Sequence, residues 1–304
     1  MFSPVHKTMD RDDLLRPECA EVLDELFALM RWMQTHGLEY SSWYGRLGAW
    51  PSAWEWINRG QDYEPWPGNP DEIRVPWFLL WEIAWLATHA RLTRGGCVLD
   101  MGGSASLFAC LLAARGMEVH TIELNNKLVA HTWRLAQRTG WRLHARTMDM
   151  RHPEFPQGTF DHVFSVCVLE HLPVSGRVAC NRQVRRLLRP GGTAGFTFDY
   201  GNPQAFARLD TPRDVRRQIV EPSGLALDPA HEFADNGKRY LFAPQYFGFG
   251  RATAGFARTY AWLRGEVHRW RPAARDARYT FGAVVMGKEG GGSRSEPQSP
   301  SPRE

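Results

Sequence analysis

The chain has 304 residues, 43% of them hydrophobic, enough for one sizeable core or two small ones. Thirty-seven Lys and Arg against 33 Asp and Glu give a net charge of only +4, too balanced to argue for a polyanionic partner. Five cysteines without a C-x-x-C pair exclude a disulfide framework and point to a reducing, cytoplasmic setting, and no stretch has the length and apolarity of a membrane span.

Residues 18 to 36 place Val22, Leu23, Leu26, Phe27, Leu29, Met30 and Met33 at helical spacing. Residues 41 to 76 follow, rich in Trp, Pro and Gly; nine of the 13 tryptophans lie within the first 85 residues. The first 75 residues read as a helical, Trp-rich cap whose aromatic surface suits a flat or apolar small molecule. Pro76 is placed to open a helix running to about Arg91.

The apolar run of Cys97, Val98 and Leu99 ends in Asp100, and Gly102, Gly103, Ser104, Ala105 and Ser106 follow. This predicts a buried parallel strand, a tight turn and a helix over Leu107 to Arg115. A second strand, Glu118 to Ile122, ends in Glu123, about 20 positions beyond the turn, where an acid can accept hydrogen bonds from ribose hydroxyls. A nucleoside-containing ligand is therefore expected at the carboxyl ends of these strands. The G-x-G-x-x-G pattern of dinucleotide sites is not met, because positions 104 and 107 are Ser and Leu.

Arg142 to Thr147 predicts a third strand, with Asp149 and Met150 after it, and Gly158 to Ser165 leads into a fourth, followed by Cys167, Glu170 and His171. A helix from about Ser175 to Leu188 precedes the turn Leu187-Leu188-Arg189-Pro190-Gly191-Gly192. The fifth strand, Thr193 to Phe198, ends in Asp199 and Tyr200. Thr211 is placed as N-cap of a helix with Pro212 at its first position. Leu225 to Leu227 reads as a short sixth strand, and Tyr279 to Met286 as a last one. Between them lies an insertion at about 229 to 276, with a helix expected from Thr253 to Trp270. Residues 289 to 304 are Gly/Ser/Pro-rich and charged, and are expected to be disordered.

Asp100-x-Gly102 with its small residues, Glu123, Asp149-Met150, Gly158-Thr159-Phe160-Asp161 and Leu187 to Gly192 together resemble the motifs of class I S-adenosylmethionine-dependent methyltransferases of the small-molecule group. Ser104 and Ser106 stand where that family has the second and third glycines of D-x-G-x-G-x-G. The resemblance implies an α/β fold: a doubly wound, mostly parallel, seven-stranded Rossmann-like sheet, carried by residues 76 to 288. It implies S-adenosylmethionine as cofactor, held by Asp100, Gly102, Gly103, Ser104, Glu123, Asp149, Met150 and Ser165. Glu123 is the family's ribose acid, and Asp149 lies where an acid pairs with the adenine amino group.

The expected function is transfer of a methyl group to a small organic acceptor at O, N or C, with no nucleic-acid partner and no membrane span. The alternatives are an RNA or protein acceptor, or a degenerate, non-catalytic nucleoside-binding member. His171, Asp199 and Tyr200 are the candidate catalytic residues, because they follow the fourth and fifth strands on the expected acceptor side. Some relatives bind a divalent metal through E-x-x-E-H; here Cys167 replaces the first carboxylate, a poor ligand for a hard cation, so no metal is expected there.

Overall fold

The computed structural model describes residues 4–41, 77–203, 205, 207–241 and 278–290. The tryptophans at 43, 50, 54, 56 and 66, the expected helix at 253–270 and the tail beyond 290 lie outside the described residues.

Four parallel strands form one half of the sheet: β2 (Cys97–Met101), β3 (Glu118–Glu123), β4 (Leu143–Thr147) and β5 (Phe160–Val166). β6 (Leu188–Tyr200) continues parallel to β5, and β9 (Arg278–Gly287) returns antiparallel to β6. The sheet runs β1-β9-β6-β5-β2-β3-β4, where β1 is the two-residue strand Lys7–Thr8. Two further short strands, β7 (Ala226–Leu227) and β8 (Tyr240–Leu241), also pair with β9. Seven strands thus run across the sheet as the resemblance implies. The outer side of β9 is closed in pieces, by β7 at Gly287 and Met286, β1 at Ala283 and Gly282, and β8 at Tyr279 and Arg278.

The central strands are buried on both faces, which is why they read as continuous apolar runs. Val98 and Val119 face one core with α1 (Pro17–Thr35), α2 (Trp77–His89) and α3 (Leu107–Ala114). Leu99, Met101 and Ile122 face the other core, with α5 (Val174–Leu187). α4 (Asn126–Thr139) connects β3 to β4; Asn125 caps its start, and Gly140, at φ 71°, ends it in the left-handed conformation glycine tolerates best. α6 (Pro212–Val215) starts as the sequence predicts, with a capping box between Thr211 and Asp214.

Residues 4 to 38 join this structure intimately. Met9, Leu14 and Cys19 are fully buried in the first core, together with Trp81 and Trp85 of α2. Lys7 Nζ lies 2.7 Å from Asp13 Oδ1, both side chains buried, and Trp81 Nε1 donates to Asp13 Oδ2 at 2.9 Å. Trp85 Nε1 donates to the Val5 carbonyl at 2.9 Å. The N-terminal segment therefore fixes the position of α2.

Candidate active site

Strand β2 delivers Asp100 to the mouth of the glycine-rich turn. Its carboxyl is fully buried; Oδ2 accepts a hydrogen bond from Ser106 Oγ at 3.1 Å, whereas Oδ1 has no partner among the described residues. Burial pushes its pKa up to about 7, because the charged form loses its hydration there. Gly102 has φ +86°, and a Cβ there would lie 2.7 Å from Val168 Cγ1. A Cβ on Gly103 would overlap the Asp100 carboxyl. The turn thus admits glycine at 102 and 103 for steric reasons.

At 104 and 106 the serines have local work. Ser104 Oγ shares a hydrogen bond with Thr121 Oγ1 at 2.9 Å, and Ser106 caps α3 by accepting from Ala109 N–H. Ser41 crosses the turn: its N–H donates to the Ala105 carbonyl at 2.6 Å and its hydroxyl to the Ser104 carbonyl at 2.9 Å.

The next two acids stand at the ends of β3 and β4. Glu123 is half-buried, and its Oε1 accepts from the N–H groups of Leu124 and Asn125 at 2.8 and 3.0 Å. Oε2 has no partner among the described residues and remains open to a ligand hydroxyl. Asp149 is engaged by Arg151, whose Nε lies 3.0 and 2.9 Å from the two carboxylate oxygens and whose backbone N–H donates at 2.8 Å. The Arg151 guanidinium holds the Asp149 carboxyl below its ordinary range. Met150 packs into the second core with Ile122, and Ser165 donates to the Met101 carbonyl at 3.1 Å, tying β5 to β2. Asp100, Glu123 and Asp149 therefore line the carboxyl ends of three adjacent strands; Ser165 is committed to the sheet.

Beyond β5 and β6 lies a second group of acids. Asp199, half-buried, accepts from Cys167 Sγ at 3.8 Å and from Asn202 Nδ2. Cys167 Sγ and one carboxyl oxygen each of Glu170 and Asp199 lie within 4.8 Å of one another. Glu82 of α2 completes the group, with charge contact to both Glu170 and Asp199. Glu82 and Glu170 are essentially unexposed, and neither carboxyl has a hydrogen-bond partner among the described residues. Burial pushes Asp199, Glu170 and Glu82 above the ordinary carboxylate range, with repulsion from neighbouring acids adding to it at Asp199 and Glu82, and burial raises the Cys167 thiol. Cys167 holds φ +54°, an unusual conformation for a residue with a side chain, at the point where the chain leaves β5.

His171 is exposed on the short 3-10 turn Leu169–His171, where its field acts on Asp199. Tyr200 does not join it. Successive strand residues point to opposite faces, so Tyr200 lies in the second core against Phe233, ring centroids 5.4 Å apart, beneath the guanidinium of Arg239. Glu82 had no visible role in the sequence; its signal was a lone acid in an otherwise apolar helix. Two arginines of α5 are engaged too, Arg186 donating to the carbonyls of Pro153 and Phe155 and Arg185 to that of Gly224, and Arg189, at the start of β6, pairs with Asp161.

The methyltransferase-domain family model matches residues 98–192. Among solved structures, the [4+2]-cyclase SpnF is 16% identical, covering 89% of this chain and 95% of its own with a TM-score of 0.50. Haemonchus contortus phosphoethanolamine N-methyltransferase 2, solved with S-adenosyl-L-methionine, is 16% identical, covering 78% of this chain and 56% of its own, with a TM-score of 0.47. No curated protein sequence matches the chain. The structural likenesses show the fold alone, and no described helix is long and apolar enough to cross a membrane. The family match points to the chemistry: residues 98–192 are similar to a methyltransferase domain.

Proposed function

We propose that this chain transfers the methyl group of S-adenosylmethionine to a small organic acceptor, at O, N or C, in the cytoplasm. The observation that supports this best is the adjacency of two acidic groups. Asp100, Glu123 and Asp149 border the glycine-rich turn, and Asp199, Glu170 and Glu82 lie past the next two strands. The first group fits the cofactor. The open oxygen of Glu123 suits a ribose hydroxyl, and the unpartnered Oδ1 of buried Asp100 suits a donor on the methionine side. The end of β4 at Asp149 and Met150 is assigned to the adenine, with Arg151 sharing the carboxylate.

When bound, S-adenosylmethionine supplies an already activated methyl on a sulfonium. The protein's task is then alignment, which can contribute about 7–11 kcal/mol. The second acidic group serves the acceptor. Asp199 and Cys167 are its half-buried, accessible members, and Glu82 and Glu170 stand behind them. Because burial raises these carboxyls, Asp199 is suited to take a proton from an O or N nucleophile, and exposed His171 to pass it to solvent. Tyr200, turned into the core, supports β6 instead. The thiol at 167 is a poor ligand for a hard cation, so a chelator such as EDTA should leave turnover unchanged.

Calorimetry with S-adenosylmethionine should give micromolar affinity, about −8 kcal/mol. Glu123→Ala should weaken it by about 1.5–3 kcal/mol, the scale of hydrogen bonds to a charged group. No heat from the wild-type protein at millimolar ligand would overturn the assignment.

The raised carboxyls also set the pH dependence. Their folded pKa values exceed the unfolded ones, so their contribution to stability is complete below the unfolded value near 4 and is lost as pH rises through the folded values. Methyl transfer to an ionisable acceptor should rise over that same window while the melting temperature falls. Asp199→Asn should flatten the rate profile; a profile unchanged in that variant would remove Asp199 from proton transfer.

A second reading rests on Ser41. Its two hydrogen bonds across the turn, with serines at 104 and 106, favour a nucleoside-binding protein without turnover. Binding without methyl transfer to any acceptor in a small-molecule panel would establish it.

A further inference from the structure

At the amino-terminal ends of the strands, opposite the acidic groups, a different set of side chains meets. Cys97 begins β2, Glu118 begins β3, His120 lies two residues further, and His144 is the second residue of β4. The register places Cys97 beside Glu118 and His120 beside His144, so all four share one face of three hydrogen-bonded strands. Cys97 Sγ, a Glu118 carboxylate oxygen and a His120 ring nitrogen lie within 4.8 Å of one another. Glu118 Oε1 is 3.1 Å from His120 Nε2 and 4.0 Å from His144 Nε2, and the two imidazole rings are 4.7 Å apart.

We propose that Cys97, Glu118, His120 and His144 bind a thiophilic divalent transition-metal cation of the zinc class. One thiol, two imidazoles and one carboxylate form a borderline-soft donor set that selects zinc-like ions over magnesium or calcium. Bonds of about 2.0–2.3 Å in a tetrahedron put the donors about 3.3–3.8 Å apart, so shifts of about 1 Å close Cys97, Glu118 and His120 on an ion, and His144, 4.0 Å from Glu118, turns in as the fourth, exposed ligand. The sheet fixes the backbone of every ligand. Access is open as well: the His120 and His144 side chains are 16% and 45% exposed. Cys97 gives up its thiol proton to solvent on binding. Arg142 Nη1 lies 3.8 Å from Glu118 Oε2, a loose contact, while Oε1 faces the two imidazoles that would share the ion. Such a cation would clamp the ends of β2, β3 and β4 together without touching the methyl donor, so this assignment stands apart from the proposed activity.

The full chain, stripped with chelator, is titrated with cobalt(II) as the probe. One equivalent should bind and develop a thiolate-to-cobalt charge-transfer band. The band should be absent in Cys97→Ser and retained in Cys167→Ser. His144→Ala, on the exposed side, should weaken cobalt binding about 10-fold or more. Circular dichroism establishes that each variant is folded. A band that survives Cys97→Ser but vanishes in Cys167→Ser would move the cation to the acidic group and overturn the proposal. So would weak, multiple-equivalent binding without the band.

Discussion

Replacing Gly103 by alanine should weaken S-adenosylmethionine binding by at least about 100-fold, or about 2.7 kcal/mol. A methyl group on Gly103 would occupy the space of the Asp100 carboxyl. That carboxyl cannot swing away cheaply, because it is fully buried and held by Ser106 at the cap of α3. The turn must move instead, and overpacking of this kind costs about 1–3 kcal/mol of stability. The ligand suffers more than the fold, since the same displacement moves the turn against which the methionine moiety should rest. Gly102→Ala should act likewise, through its left-handed backbone and Val168. Gly290→Ala, with nothing within 4 Å of its added methyl, is the control. Calorimetry on folded Gly103→Ala that returns wild-type affinity would show that the turn does not seat the cofactor.

Much of this arrangement is legible in the sequence where signals are local. The strand at Cys97–Met101, the acid near its end and the capping box at Thr211 each depend on residues within a few positions, and their boundaries hold to within one or two residues. Asp199 and Tyr200 show where local reading stops. Both are the last residues of β6, where strand alternation sends one toward the acids and the other into the core, a distinction available from period two alone. Asp149 reads as a free acid until Arg151, two residues on, is seen to occupy it. Glu82 and the Cys97–His144 group were hidden for another reason. Their partners lie dozens of residues away, and only the strand order and the packing of α2 bring them together. The strand at Lys7–Thr8 has two residues, too few for any periodicity.

Asp13→Ala should destabilise the protein by about 3–5 kcal/mol, the cost of breaking a buried ion pair at one partner. Lys7 and Asp13 are both almost fully buried, and the carboxylate also accepts from Trp81 Nε1. Removing it takes the buried carboxylate away from the Lys7 ammonium, which lies 4.9 Å from the Trp85 ring centroid, and the acceptor away from the Trp81 indole N–H. The damage should reach the acceptor side, because Trp81 and Trp85 flank Glu82 on α2, and α2 is what carries that carboxyl to Glu170 and Asp199. The double variant Lys7→Met with Asp13→Asn separates charge from packing. Asn keeps an acceptor for Trp81, and Met fills the lysine's space without a charge, so more than half of the lost stability should return. Denaturant unfolding measures both. A single variant that loses less than about 1 kcal/mol, the worth of an exposed ion pair, would mean that this pair is solvated and that residues 4 to 16 do not hold α2 in place.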